Sequence, residues 1–97
     1  MRYEWDEQKN ASNQAKHDFD FANAYRIFLT PVLITLDDRF DYGEDRWIGL
    51  GLLDSHIVGV VFTEPQEEVR RIISLRKALQ HERKQYEQFF QNQLGAY

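Results

Sequence analysis

From Arg46 to Arg76 the chain consists of strand-length apolar runs joined by connections too short to contain a helix, which excludes most architectures. Arg46–Leu53 and His56–Thr63 are separated only by Asp54-Ser55, and Val69–Arg76 follows after Glu64-Pro65-Gln66-Glu67-Glu68. Parallel neighbours would need a crossover of roughly a dozen or more residues, so these runs are expected to pair antiparallel, the first two as a hairpin. A fourth run, Val32-Leu33-Ile34-Thr35-Leu36, is rich in β-branched and apolar residues and precedes them across the segment 37–45. The expected sheet is a four-stranded antiparallel meander.

Helices are expected at both ends. Asp6 can cap a helix from Glu7 to about His17, in which Ala11 and Ala15 are nearly the only apolar residues. Asp18 or Asp20 can cap a second, where Phe21, Tyr25 and Phe28 form an apolar stripe; Pro31 stops it and turns Thr30 towards an extended conformation. The last helix runs from about Ala78 to Gln91, with Tyr86, Phe89, Phe90 and Leu94 lining one face ahead of the tail Gly95-Ala96-Tyr97. Core burial is the default for Tyr86 and for Phe89 or Phe90, while the aromatics nearest the end can dock on a partner. The order α-α-β-β-β-β-α defines an α+β protein with its helices on the faces or ends of the sheet.

With 97 residues there is room for one small two-layer core, so residues 1–97 are read as one domain. Cysteine is absent, which excludes disulfides and thiolate metal sites and fits a reducing compartment. Met1-Arg2-Tyr3-Glu4-Trp5-Asp6 contains no apolar leader, and no apolar stretch approaches the ~20 residues that span a bilayer. A soluble, cytoplasmic protein with no membrane partner is expected. Charge is unevenly spread: Arg70–Lys84 holds six Lys/Arg against one Glu, a local +5 in a chain whose total is −4, which leaves −9 elsewhere. The loop 37–45, with five acids and one base, is the negative counterpart; it reads as a solvated turn or as a phosphate mimic for a basic partner. Such asymmetry suits one surface for an anion and another for something basic, or calls for a second chain.

Alternation along the last strand puts Arg70, Ile72, Ser74 and Arg76 on one face and Val69, Arg71, Ile73 and Leu75 on the other. Arg71 and Arg76 can share a face only if a bulge, or a helical start near Lys77, breaks that alternation. Guanidinium is a permanently charged, planar donor fork suited to phosphate oxygens, so this run can be a phosphate platform; it can equally be an edge strand protected by solvated charges. Lys16-His17 falls at the expected C-terminus of the first helix, where cations meet the helix dipole favourably, and where a Lys or His beside a cationic platform could instead move protons. His56 and His81 are isolated, no His-x-x-x-His spacing occurs, and neither a metal nor another cofactor is expected.

Five segments together resemble the BrnT family of toxins from bacterial BrnT/BrnA type II toxin–antitoxin pairs, over roughly positions 2 to 87. They are Tyr3-Glu4-Trp5-Asp6-Glu7 with Lys9; Asn13 with Lys16-His17; Phe21 and Ala24 to Phe28; Tyr42-Gly43-Glu44-Asp45-Arg46-Trp47-Ile48-Gly49 with Gly51-Leu52-Leu53-Asp54; and Arg71-Ile72-Ile73-Ser74 with Arg76-Lys77-Ala78, Glu82-Arg83 and Tyr86. Asp18 stands where the family usually has Gly, and Pro65-Gln66-Glu67-Glu68 appears in place of a shorter, commonly Gly-containing turn.

The resemblance implies a RelE-like ribonuclease fold, RNA cleavage that slows growth, and neutralisation by a BrnA antitoxin with a ribbon-helix-helix DNA-binding part. The implied complex is a heterotetramer built on an antitoxin dimer that represses its own operon, so this chain would meet operator DNA only through the antitoxin. The implied chemistry is metal-independent: the ribose 2′-OH attacks the adjacent phosphate and the 5′-oxygen leaves. Arg71 and Arg76 are the candidates for charge stabilisation, Lys16 or His17 for proton transfer, and Glu82 for a base or an orienter of an arginine. Arg46, Ser74, Lys77, Arg83 and Tyr86 are the candidate substrate contacts, and Arg70 is left as a solvated neighbour. The rival reading is a non-catalytic module that binds a protein and serves as co-repressor; a sequence pI of about 5.3 and the lack of a basic arm argue against direct DNA binding.

Overall fold

The computed structural model describes residues 1–39 and 41–94, so Phe40 of the acidic loop and the tail Gly95-Ala96-Tyr97 lie outside the described residues. In chain order the elements are strand β1 (Arg2–Glu4), helix α1 (Glu7–His17), a 3-10 turn (Phe21–Asn23) running into the one-turn helix α2 (Ala24–Ile27), strands β2 (Leu33–Leu36), β3 (Trp47–Leu53), β4 (His56–Gln66) and β5 (Val69–Lys77), and helix α3 (Gln80–Leu94). They form an α+β fold around one sheet of order β1-β5-β4-β3-β2.

The expected four-stranded antiparallel sheet is instead five-stranded and mixed. Residues 33–77 make the meander, and β1 adds to it parallel to β5, with Tyr3 opposite Arg70 and the Arg2 N–H donating to Glu68 O at 2.6 Å. Three residues carry no readable period; they become a strand because the far edge of β5 leaves its backbone groups open to pairing. The expected second helix is also shorter. Asp20 caps the 3-10 turn by accepting from the Ala22 N–H, and α2 ends after four residues. Asp18 belongs to α1 as its C-cap, in the left-handed conformation (φ 63°) that glycine adopts most readily, with its N–H donating to Gln14 O.

Helix α1 explains how an element with almost no apolar residues stays docked. Its two buried residues are Asn10 and Asn13. Asn10 accepts from the Phe21 N–H at 2.9 Å and donates to Asp20 Oδ1 at 3.0 Å. Asn13 accepts from the Leu75 N–H at 3.1 Å and donates to Leu75 O at 2.8 Å and to Phe19 O at 3.1 Å. A side-chain amide thus stands in for a neighbouring strand where β1 has ended, and satisfies the edge of β5.

The sheet buries both faces. Val58, Val60 and Phe62 of β4 point to the first face with Leu53, Ile72 and Leu75, beneath Phe21, Ala24 and Ile27. Leu50 and Val61 are buried on the second face. Tyr86 of α3 is buried as well; its hydroxyl donates to Pro31 O at 2.8 Å and its ring contacts Phe89 and Phe90. The turns are tight: Asp54 and Glu68 both take positive φ, and β4 continues through Pro65, where its register with β5 is irregular. Arg70 is not a solvated neighbour. Its guanidinium lies 4.0 Å above the Phe28 ring and donates to Tyr3 Oη and Glu64, so it roofs the first-face core.

Candidate functional site

Strand β5 decides the geometry. Val61 lies opposite Ser74, but Phe62 lies opposite Ile72, so Ile73 is an extra residue on β5 and forms a bulge. Residues directly opposite one another in a ladder project to the same face. Arg71 is opposite Thr63, Ser74 opposite Val61 and Arg76 opposite Gly59, which puts all three on the second face. Ile72 and Leu75, three apart, can then both enter the first-face core. Of the two distortions that would let Arg71 and Arg76 share a face, a bulge or a helical start near Lys77, the structure has the bulge.

Arg71 and Arg76 share this face but turn to different partners. Arg76 lies over Gly59, where an added β-carbon would meet its Nη1 at 3.0 Å. It donates to both carboxylate oxygens of Glu82, at 2.7 and 3.1 Å. Glu82 also accepts from the Leu79 N–H at 2.8 Å and so caps the start of α3. Burial pushes the Glu82 carboxyl up, but the hydrogen bonds from Arg76 and Leu79 and the positive charges of Arg76 and His81 outweigh it and hold the group below the usual carboxylate range. Arg71 reaches the other way, donating from Nε to Glu4 at 2.7 Å across the β1 junction.

Two hollows are lined in part by β5. One, of about 490 Å³, lies between α1 and β5 and is lined by Lys9, Ser12, Lys16, His17, Ile73 and Ser74 with Asp6, Gln8 and Asn13. Ser74 therefore belongs both to the second face and to the cleft of Lys16 and His17. The other, of about 410 Å³, has an apolar floor of Leu33, Ile48, Leu50 and Leu79, with Arg39, Arg76, His81 and Glu82 among its polar residues. Arg39 is a contributor the sequence reading did not single out; it is held by Asp37, whose buried carboxylate it grips at 2.8 and 3.0 Å.

The remaining candidates sit apart. Lys77 is opposite Val58 and so belongs to the first face, turned away from Arg76. Arg83 lines a separate hollow with Lys84 and Glu87 on the outer side of α3. Tyr86 is a core residue whose hydroxyl is already engaged, which removes it as an open platform for a base. Arg46 immediately precedes β3, its guanidinium 4.0 Å above the Tyr42 ring. Among the described residues no group of three or more His, Asp or Glu is placed to hold a metal ion, and no helix is long and apolar enough to cross a membrane.

These features define an α+β protein whose sheet face, bulged at its penultimate strand in spatial order, carries two arginines beside a helix-lined cationic cleft. Residues 5–82 match the family of BrnT ribonuclease toxins of type II toxin–antitoxin systems. The chain is 32% identical to the Brucella abortus ribonuclease toxin BrnT, whose crystal structure superposes with a TM-score of 0.65 over 82% of this chain and 99% of that one. No curated protein matches. The chain belongs to the BrnT family.

Proposed function

We propose that this chain is a cytoplasmic, RelE-like endoribonuclease that cuts RNA without a metal ion by attack of a ribose 2′-OH on the adjacent phosphate, and that a BrnA-type ribbon-helix-helix antitoxin neutralises it in a heterotetramer. The observation that carries the reading is the bulge at Ile73, which aligns Arg71, Ser74 and Arg76 on the face next to the cleft of Lys16 and His17. Arg76 stabilises charge on the pentacoordinate phosphorus transition state. Glu82 is its positioning residue rather than the base, because its carboxylate is already committed to Arg76 and to the Leu79 N–H. Lys16 or His17 moves the proton from the 2′-oxygen or to the leaving 5′-oxygen, and Arg71 holds a flanking phosphate.

Induction of the chain alone should arrest growth and fragment RNA, and co-expression with the neighbouring antitoxin should reverse both. Arg76→Ala should lower cleavage by roughly 100- to 1000-fold, the usual loss for one transition-state donor, while antitoxin binding persists. Growth arrest undiminished in that variant would remove Arg76 from catalysis. The pairing of both arginines with Glu4 and Glu82 favours a second reading, a non-catalytic module that binds its antitoxin and acts as co-repressor. Normal growth with intact RNA, on confirmed soluble expression, would select it.

A further inference from the structure

The second face carries a polar pair that no hydrogen bond among the described residues satisfies. Thr63 is 2% exposed, yet its Oγ1 has no hydrogen-bond partner among the described residues; the Nε of Arg46 is buried and equally unpaired among them. Native proteins seldom leave such groups orphaned, and those that persist call for an explanation outside the chain's own bonds. The two are neighbours. Continuing the register of Trp47 with Phe62 back by one residue puts Arg46 beside Thr63, and the Asp37 N–H, donating to Arg46 O at 2.7 Å, carries the ladder on to this row. On the other side Thr63 lies opposite Arg71. A hydroxyl on β4 thus sits between Arg71 of β5 and Arg46, which immediately precedes β3, in rows about 4.8 Å apart.

Each guanidinium already has a partner within the chain with which a ligand would compete. Arg46 rests on the Tyr42 ring and its ion pair with Glu44 is long, 3.9 Å, while the Arg71 side chain is 48% exposed and joined to Glu4, itself 30% exposed. A ligand would displace Arg71 from Glu4, to which it is joined at 2.6 and 2.7 Å, and would reach the Thr63 hydroxyl, closed off from solvent in this conformation, only as the side chains around it move aside. A ligand that meets two guanidinium forks and a hydroxyl at once must offer several acceptor oxygens and negative charge, as a phosphodiester does. Thr63 is four residues along β4 from Gly59, about 13 Å, so this phosphate is distinct from one bound by Arg76 over Gly59.

We infer that Arg46, Thr63 and Arg71 form a phosphodiester subsite that holds RNA at a flanking nucleotide, with Thr63 as its specific donor; the inference rests on the RNA-cleavage reading above. The test uses the full chain and an oligoribonucleotide with 2′-O-methyl riboses, which cannot undergo 2′-OH attack. Thr63→Val removes the hydroxyl and keeps the shape, so it should melt at or above the wild-type temperature while binding the oligonucleotide roughly tenfold more weakly. Arg46→Gln should flatten the dependence of log affinity on log salt by about 0.7, one phosphate contact on a single strand. A melting temperature several degrees lower for Thr63→Val would reveal an internal partner and overturn the subsite, as would unchanged binding in both variants. Wild-type protein that binds no oligonucleotide would overturn the RNA reading and the subsite together, whereas wild-type binding with indifferent variants would overturn the subsite alone.

Discussion

Replacing Asn13 with Ala tests whether a side-chain amide really closes the sheet edge. Asn13 makes three hydrogen bonds, two of them to the backbone of Leu75, a residue with 0% exposure. Truncation leaves the Leu75 N–H and C=O without partners, and a buried polar group left unmade costs about 1–3 kcal/mol, so the two together weigh about 4 kcal/mol. Alanine recovers about 0.6 kcal/mol through its better helix propensity at a position inside α1. The net expectation is a loss of about 3 kcal/mol, a large share of the 5–15 kcal/mol typical of a domain, and a fall in melting temperature of roughly 12–24 °C. Urea titration should show the midpoint falling with an unchanged slope. Asn13→Asp sharpens the test, since it keeps an acceptor for the Leu75 N–H but sets a carboxylate against the carbonyls of Leu75 and Phe19; it should be at least as damaging. A loss below about 1 kcal/mol for Asn13→Ala would mean that water entering from the α1–β5 cleft replaces the amide, and the edge-closure argument would fail.

Gly51 faces α2 so closely that an added β-carbon would lie 2.6 Å from Ile27 Cγ2, and Ile27 is fully buried. Gly51→Ala should therefore destabilise by about 1–3 kcal/mol, and an unchanged denaturation midpoint would show that α2 yields freely. Glu82 supplies a pH test. Its folded carboxyl is held below the usual range, so its contribution to stability is complete above the ordinary value of about 4.3 and disappears as pH falls through the lower folded value. The stability difference between wild type and Glu82→Gln should hold steady from about pH 5 to 8 and shrink below about pH 4; a difference that stays constant into stronger acid would contradict the Arg76–Glu82 pairing.

Much of the fold was legible because connection lengths and periodicity are local. Asp54-Ser55 leaves no room for anything but a hairpin between β3 and β4, and Asp6 caps α1 through its own neighbours, accepting from the Gln8 and Lys9 N–H groups. The meander, both terminal helices and the pairing of basic strand with helix start follow from such features. The site was legible only as a condition: strand parity required a distortion before Arg71 and Arg76 could share a face, without showing whether one existed. The bulge at Ile73 exists because Ile72 and Leu75 both find places in the core under Phe21 and Ile27, a matter of packing between segments distant in sequence. The same kind of contact makes Arg2–Glu4 a strand, docks α1 by amides rather than apolar side chains, lays Arg70 on Phe28, and turns Lys77 away from Arg76. Apart from the strand Arg2–Glu4 and the shortened α2, residue order alone determined where chain segments extend, coil and turn, since those depend on neighbours a few residues away. Register, bulge and charge pairing were decided by the tertiary structure, because each is an interaction between groups that only folding brings together.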